Sequence, residues 1–429
     1  MKRFLDLSQS GIRASLCMAA AAFFLLAGYE FMRSSSTSLF ISAYGKGAVP
    51  VATLFMPVAV IGFLYIYGIL LGRFGAKSTL VVTTIGSGAL IAVGFVMHKA
   101  GIKFASAMLY VLREAYVVLI IEQYWSYINS KVSAEHARKL NGPICGISSL
   151  GAIAGGMTTA AFVSELGTET LLLFAAAACI PAAIFSIRAF EIGGYPRGNK
   201  PGQGAHPQSP GHLSEGGKPN WQDVVGLSLM RREPILAWIL TIVLTTQVVA
   251  AMTDFAFQGA LADAIPETDA RTAYLGSFFA RLNMVALVLQ FIAAPILLSW
   301  LRYDWINLAI PTVQIATCTW AALEPSLAST GAAFMTFKAI DYSLFRAAKE
   351  ILYIPLSFDA RYRSKELIDV FGYRFGKGGA SLAVTAAVAQ GVVFTAGRYA
   401  VLALGAVFVW LAMVIPAVGL LRRHHRVPE

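Results

Sequence analysis

Fourteen ionisable side chains stand inside stretches that are otherwise apolar, and these are the residues with chemistry to offer. Glu30 and Arg33 lie three residues apart in the first stretch; Arg113, Glu114 and Glu122 share another. Asp254 follows, with Gln247 and Gln258 near it, then Arg281 with Asn283. Lys338, Asp341, Arg346, Lys349 and Glu350 crowd a fifth stretch, and Arg374 and Lys377 a sixth. An ionised group surrounded by hydrocarbon costs several kcal/mol, so each must face a cavity or a partner. One reading is structural: the charges pair, Arg346 with Glu350 and Lys338 with Asp341, and lock helices or gates. The other starts from the count, eight basic against six acidic groups. Surplus buried positive charge is costly when empty and is neutralised when an anion binds. Arg33, Arg281, Arg346, Lys349, Arg374 and Lys377 are therefore candidate ligands for an anionic group. Glu30, Glu114, Glu122, Asp254, Asp341 and Glu350 are candidate coupling or gating groups.

Enzymatic chemistry finds little footing. None of the six histidines (His98, His136, His206, His212, His424, His425) lies deep in an apolar stretch, and HExxH, GxSxG and GxxxxGK[ST] patterns are missing from the sequence. Cys17, Cys145, Cys179 and Cys318 fall in apolar runs without paired spacing, so helix packing accounts for them better than a disulfide or a metal site. No catalytic residue, metal or cofactor is expected.

The elements that must hold these charges are membrane-spanning helices. Of 429 residues 57% are hydrophobic and 13% charged, with a mean hydropathy of +0.65. Soluble domains carry about 25% charged residues, so lipid is the solvent for most of this chain. Twelve windows of spanning length recur: 14–42, 48–71, 78–97, 104–128, 142–164, 168–189, 235–258, 275–299, 304–323, 326–355, 367–395 and 399–421. The first is too long, and too poor in a cleavage signal, for a removed leader; it reads as a retained helix. With both termini cytoplasmic, inside segments hold 21 basic residues against 5 outside. That bias predicts an inner-membrane protein and explains the net charge of +11 without a nucleic-acid surface.

A Gly-, Pro- and polar-rich break separates six spans from six. It divides the chain into an N-terminal half (1–190), a cytoplasmic linker (191–233) and a C-terminal half (234–429). The expected class is an all-α polytopic membrane protein of about twelve transmembrane helices in a 6+6 pseudo-symmetric major facilitator architecture, with a substrate site between the halves. A faint repeat agrees: Glu122 to Gly151 and Glu350 to Gly379 share one offset. Gly151 with Gly155, and Gly372 with Gly376, have the GxxxG spacing that lets helices approach closely.

The stretch YSLFRAAKEILYIPLSFDARYRSKELIDVFGYRFGKGGAS at 342–381 resembles the ATP/ADP translocases of intracellular bacteria and plastids, the nucleotide transporter family. Lys349, Glu350, Ile354, Pro355, Leu356, Lys365, Ile368, Asp369, Val370, Arg374, Gly376 and Lys377 fit that family's pattern. Tyr29, Arg33, Leu39, Gly45 and Pro50 are similar to its first-helix segment; Glu114, Trp125, Asn129 and Ala137-Arg138 to its fourth; Asp254 to an acidic position in its seventh. The family's first-helix lysine and aspartate correspond here to Ser36 and Thr37, its seventh-helix lysine to Gln258, and an acid to Arg346. The resemblance implies that those lysines bind nucleotide phosphates, so these departures point to an altered substrate. It implies a monomeric secondary-active transporter moving a small anionic solute, such as ATP, ADP or a related phosphorylated or carboxylated metabolite, by alternating access. A proton-coupled carrier for a siderophore, peptide or drug, driven through Asp254, Glu122 or Glu350, is the alternative, and a non-transporting receptor or assembly factor a third.

Overall fold

The computed structural model describes residues 2–131, 134–195, 234–352, 368 and 372–424. Every regular element among them is helical. Hydrocarbon offers backbone N–H and C=O groups no partner, and a helix satisfies them within its own segment. In chain order the helices are α1 (Lys2–Tyr44), α2 (Val49–Lys99), α3 (Phe104–Lys131), α4 (Ala134–Leu166) and α5 (Thr170–Gly193). After the linker come α6 (Pro234–Ala264) and α7 (Thr268–Val288), which a π turn at Leu289–Ala293 joins to α8 (Ala294–Trp300). Then follow α9 (Tyr303–Leu323) and α10 (Leu327–Ile340), which a second π turn at Asp341–Phe345 joins to α11 (Arg346–Leu352). The last are α12 (Tyr373–Ala389) and α13 (Ala396–His424).

The twelve expected spans fall in order on these elements, with 353–355 of the tenth and 367 and 369–371 of the eleventh outside the described residues. Where the sequence suggests a short loop between the second and third spans, α2 instead runs through both. Its 51 residues would measure about 77 Å as one rod, over twice the hydrocarbon thickness. The break that separates two crossings is one residue: Gly75, at φ 72° and ψ 171°. A side chain is strained there, and glycine is not. Phe55, Val58, Ile61, Tyr65 and Ile66 stand exposed on α2, as do Trp300 and Leu323 elsewhere, an apolar surface that suits lipid.

The chain divides into two compact units. One is drawn from Met1–Gly45, Val58–Pro207 and Ile265–Met284; the other from Lys46–Pro57, Gln208–Ala264 and Val285–Glu429. In the first, α1 is the hub, packed by α3, α4 and α5. Small residues make this possible: a Cβ on Gly151 or Gly155 of α4 would collide with the backbone of Phe23 or Ala27 on α1. In the second unit α6 is packed by α10, α12 and α13, and α13 also lies against α9. Gly376 brings α12 onto α6, where a Cβ would meet that of Gln247 at 2.7 Å.

Candidate functional site

In the first unit, α1 carries the consecutive polar run Arg-Ser-Ser-Ser-Thr-Ser at 33–38, every member buried. Six buried polar residues in a row occupy all sides of a helix, so protein rather than lipid surrounds this turn and a half. Arg33 Nη1 lies 3.6 Å from Glu30 Oε1. Its guanidinium sits 3.5 Å from the ring centroid of Phe279 and 5.7 Å from that of Tyr29. Asn283, also on α7, donates to Glu30 Oε1 at 2.9 Å. From α3, Arg113 donates to the Arg33 carbonyl at 3.2 Å and to Thr37 Oγ1, and its guanidinium covers the Tyr110 ring at 3.9 Å. Glu114 Oε1 lies 3.5 Å from Arg113 Nε. Thr37, which stands where the resembling family has a charged residue, donates to the Arg33 carbonyl at 2.7 Å.

Two arginines are thus held by carbonyls, a hydroxyl, carboxylates and aromatic faces on α1, α3 and α7. These charge-assisted and cation–π contacts hold both guanidiniums against protein partners. It gathers Glu30, Arg33 and Glu114 from the expected set. It does not include Glu122 or Arg281, which are exposed; Arg281 Nε donates to the Ser277 carbonyl at 3.1 Å.

The second unit holds the other cluster. Asp254 on α6 is buried and both its oxygens are engaged: Gln258 Nε2 donates to Oδ1 at 2.7 Å, and Lys377 Nζ on α12 lies 3.2 Å from Oδ2. Lys349 on α11 is also buried. Its Nζ is 3.4 Å from the Tyr373 hydroxyl and 4.7 Å from that ring's centroid. It lines a narrow crevice with Asn307, Ile310, Phe345 and Trp410. Arg346 and Glu350, by contrast, are exposed. Residues three apart on a helix are turned by about 60°, enough to bury one and expose the other. Asp341 opens the π turn before α11 and is buried, with Lys338, Arg346 and Lys349 as its charged neighbours. Lys338 and Asp341 form no ion pair among the described residues; Lys338 Nζ lies 5.5 Å over the Tyr342 ring instead. Arg374 falls on α12, and its side chain lies outside the described residues, as do the motif positions Ile354, Pro355, Leu356, Lys365, Asp369 and Val370 and the stretch 196–233. Ile368 is buried. The four cysteines are free thiols.

The sequence gives no sign of several partners that matter here. Tyr373, Phe279 and Tyr110 are neutral residues typical of any helix interior. Only the charges they contact reveal them.

With this geometry in hand, likeness to known proteins can be placed. Residues 326–419, from α10 through most of α13, match the model of the TLC ATP/ADP transporter family. The chain is 30% identical over 140 residues to ADP,ATP carrier protein 1 of Rickettsia bellii (strain RML369-C), covering 27% of this chain and 28% of that protein. It is 24% identical over 224 residues to ADP,ATP carrier protein 1 of Chlamydia trachomatis serovar D, covering 47% and 40%. The matched part thus spans less than half the length of these relatives. Among solved structures, the POT family transporter PepTSo superposes with TM-score 0.66 at 12% identity over 94% of this chain and 98% of its own. A mutant of the nucleoside transporter NupG superposes with TM-score 0.64 at 12% identity over 95% and 99%. Those two likenesses give the fold alone. Residues 326–419 are thus similar to the TLC ATP/ADP transporter family, and the chain as a whole shares the helical fold of those two solved transporters.

Proposed function

We propose that this chain is a secondary-active carrier that moves a nucleotide such as ATP or ADP, or a related phosphorylated anion, by alternating access. One observation carries the reading: the family match falls on the segment that presents Lys349, buried against Tyr373, beside Arg346. Arg33, Arg281, Arg346, Lys349, Arg374 and Lys377 supply the positive charge for the anion. Glu30, Glu114, Glu122, Asp254, Asp341 and Glu350 balance that charge when the carrier is empty. In this reading the protein works as a monomer in the inner membrane, and the basic-residue bias supports both termini and the 191–233 linker lying in the cytoplasm.

A charge-assisted contact to a phosphate contributes about 1.5–3 kcal/mol. Lys349→Gln should therefore weaken equilibrium ATP binding by about ten- to a hundredfold in purified protein. If Lys349 serves a gate instead, the same variant slows uptake into proteoliposomes and leaves affinity nearly unchanged. That result would remove Lys349 from the anion site.

A further inference from the structure

Arg113 of α3 is 5% exposed, and its guanidinium turns to the backbone of another helix. Nη1 donates to the Arg33 carbonyl at 3.2 Å and to Thr37 Oγ1, while Thr37 Oγ1 lies 2.7 Å from the same carbonyl. A guanidinium can only donate, so the Thr37 hydroxyl accepts from it and gives its own hydrogen to Arg33. The three groups close a ring in which every hydrogen has one acceptor. Phe40 extends the contact by a turn: its ring stacks at 4.6 Å on Tyr110, and the Arg113 guanidinium lies 3.9 Å over the Tyr110 ring. Residues 33, 37 and 40 share one face of α1, and 110 and 113 one face of α3.

The turn gripped in this way is weakly held by its own sequence. Ser34, Ser35, Ser36, Thr37 and Ser38 follow Arg33, and hydroxyl side chains compete with the helix for its carbonyls. Thr37 and Ser36 both bond back to the Arg33 carbonyl, at 2.7 and 3.5 Å. Well-packed apolar side chains often hold two helices at least as firmly as a buried charge does, so adhesion alone does not call for an arginine. What the arginine adds is aim: a planar group seated on one ring directs two N–H bonds to two acceptors. The carbonyl it grips belongs to Arg33, whose own guanidinium lies 3.5 Å from the Phe279 ring centroid on α7.

We propose that Arg113 is a positioning residue for the anionic substrate: it fixes the 33–37 turn of α1 and, with it, the place of the Arg33 guanidinium. The proposal rests on Arg33 serving the anion, as read above. Arg113 acts through α1 and does not itself touch the anion.

The test uses the full chain in detergent and two substitutions. Arg113→Met keeps apolar packing between α1 and α3 and removes the grip. Arg113→Lys keeps the charge but lacks the planar fork that meets both acceptors from its seat on Tyr110. Without ligand, hydrogen exchange of the backbone amides at 34–38 should quicken in both variants, while that of α5 stays as in the parent. With ATP as the probe, Arg113→Lys should bind about two- to tenfold more weakly, the equivalent of one lost hydrogen bond. Arg33→Gln should cost about ten- to a hundredfold. Adding Arg113→Lys to Arg33→Gln should cost nothing further, because the grip then positions no cation. A merely structural brace would lower Tm and leave ATP affinity as in the parent. That result, losses that multiply in the double variant, or unchanged exchange at 34–38 in Arg113→Met would overturn the proposal. If the parent does not bind ATP, the nucleotide reading falls by itself. Exchange then decides alone: quickening at 34–38 in Arg113→Met upholds the hold on α1, and its absence removes it.

Discussion

Replacing Lys377 by Met removes one cation from the carboxylate of Asp254 while preserving most of the apolar stem. At 3.2 Å and an effective dielectric of about 20, the gross attraction is about 5 kcal/mol. Removing one member of a well-buried pair typically costs about 3–5 kcal/mol, because the other charge stays behind. Here the loss should be smaller, about 2–3 kcal/mol. The Lys377 side chain is 25% exposed, and Gln258 still donates to the Asp254 carboxylate at 2.7 Å. Adding Asp254→Asn to Lys377→Met removes the carboxylate charge as well and should recover most of that loss, a coupling of about 2 kcal/mol. Chemical unfolding of the four proteins in one detergent reads the cycle. Losses that simply add, or a Lys377→Met variant as stable as the parent, would refute the pairing.

Two further outcomes can be checked with simpler measurements. In Gly155→Leu, the first side-chain atom alone would lie 2.5 Å from the Ala27 carbonyl oxygen, so α1 and α4 must separate. Overpacking of this kind costs about 1–3 kcal/mol or more and should appear as a lower Tm or loss of monodisperse protein, whereas Gly146→Leu, with open space around it, should behave as the parent. Reporter fusions placed in 191–233 should report the cytoplasmic side; an external signal would overturn the orientation drawn from the basic residues.

Much of this protein is written in one dimension. Lipid forces each crossing to be a long, self-satisfied apolar helix, so the spans are visible as hydropathy alone, and α1, α3, α5 and α13 fall where that rule puts them. Local geometry also makes Glu30 and Arg33 neighbours, since three residues is one helical turn. The translocase-like segment declares itself because its charges recur at fixed spacing. Hydropathy separates the two limbs of α2, but the form of the break needed the structure: a single glycine at φ 72°, not a loop, divides them. Pairing needed it too. Arg113 meets Thr37 from a separate helix, Lys377 meets Asp254 across 123 residues, and Asn283 reaches Glu30 across 253. Charge and hydropathy say that such groups must find partners. Only helix packing decides which, because it fixes the rotation of each helix: a turn of about 60° buries Lys349 against Tyr373, exposes Arg346, and leaves Asp341 facing Gln314 and Trp410 in one crevice.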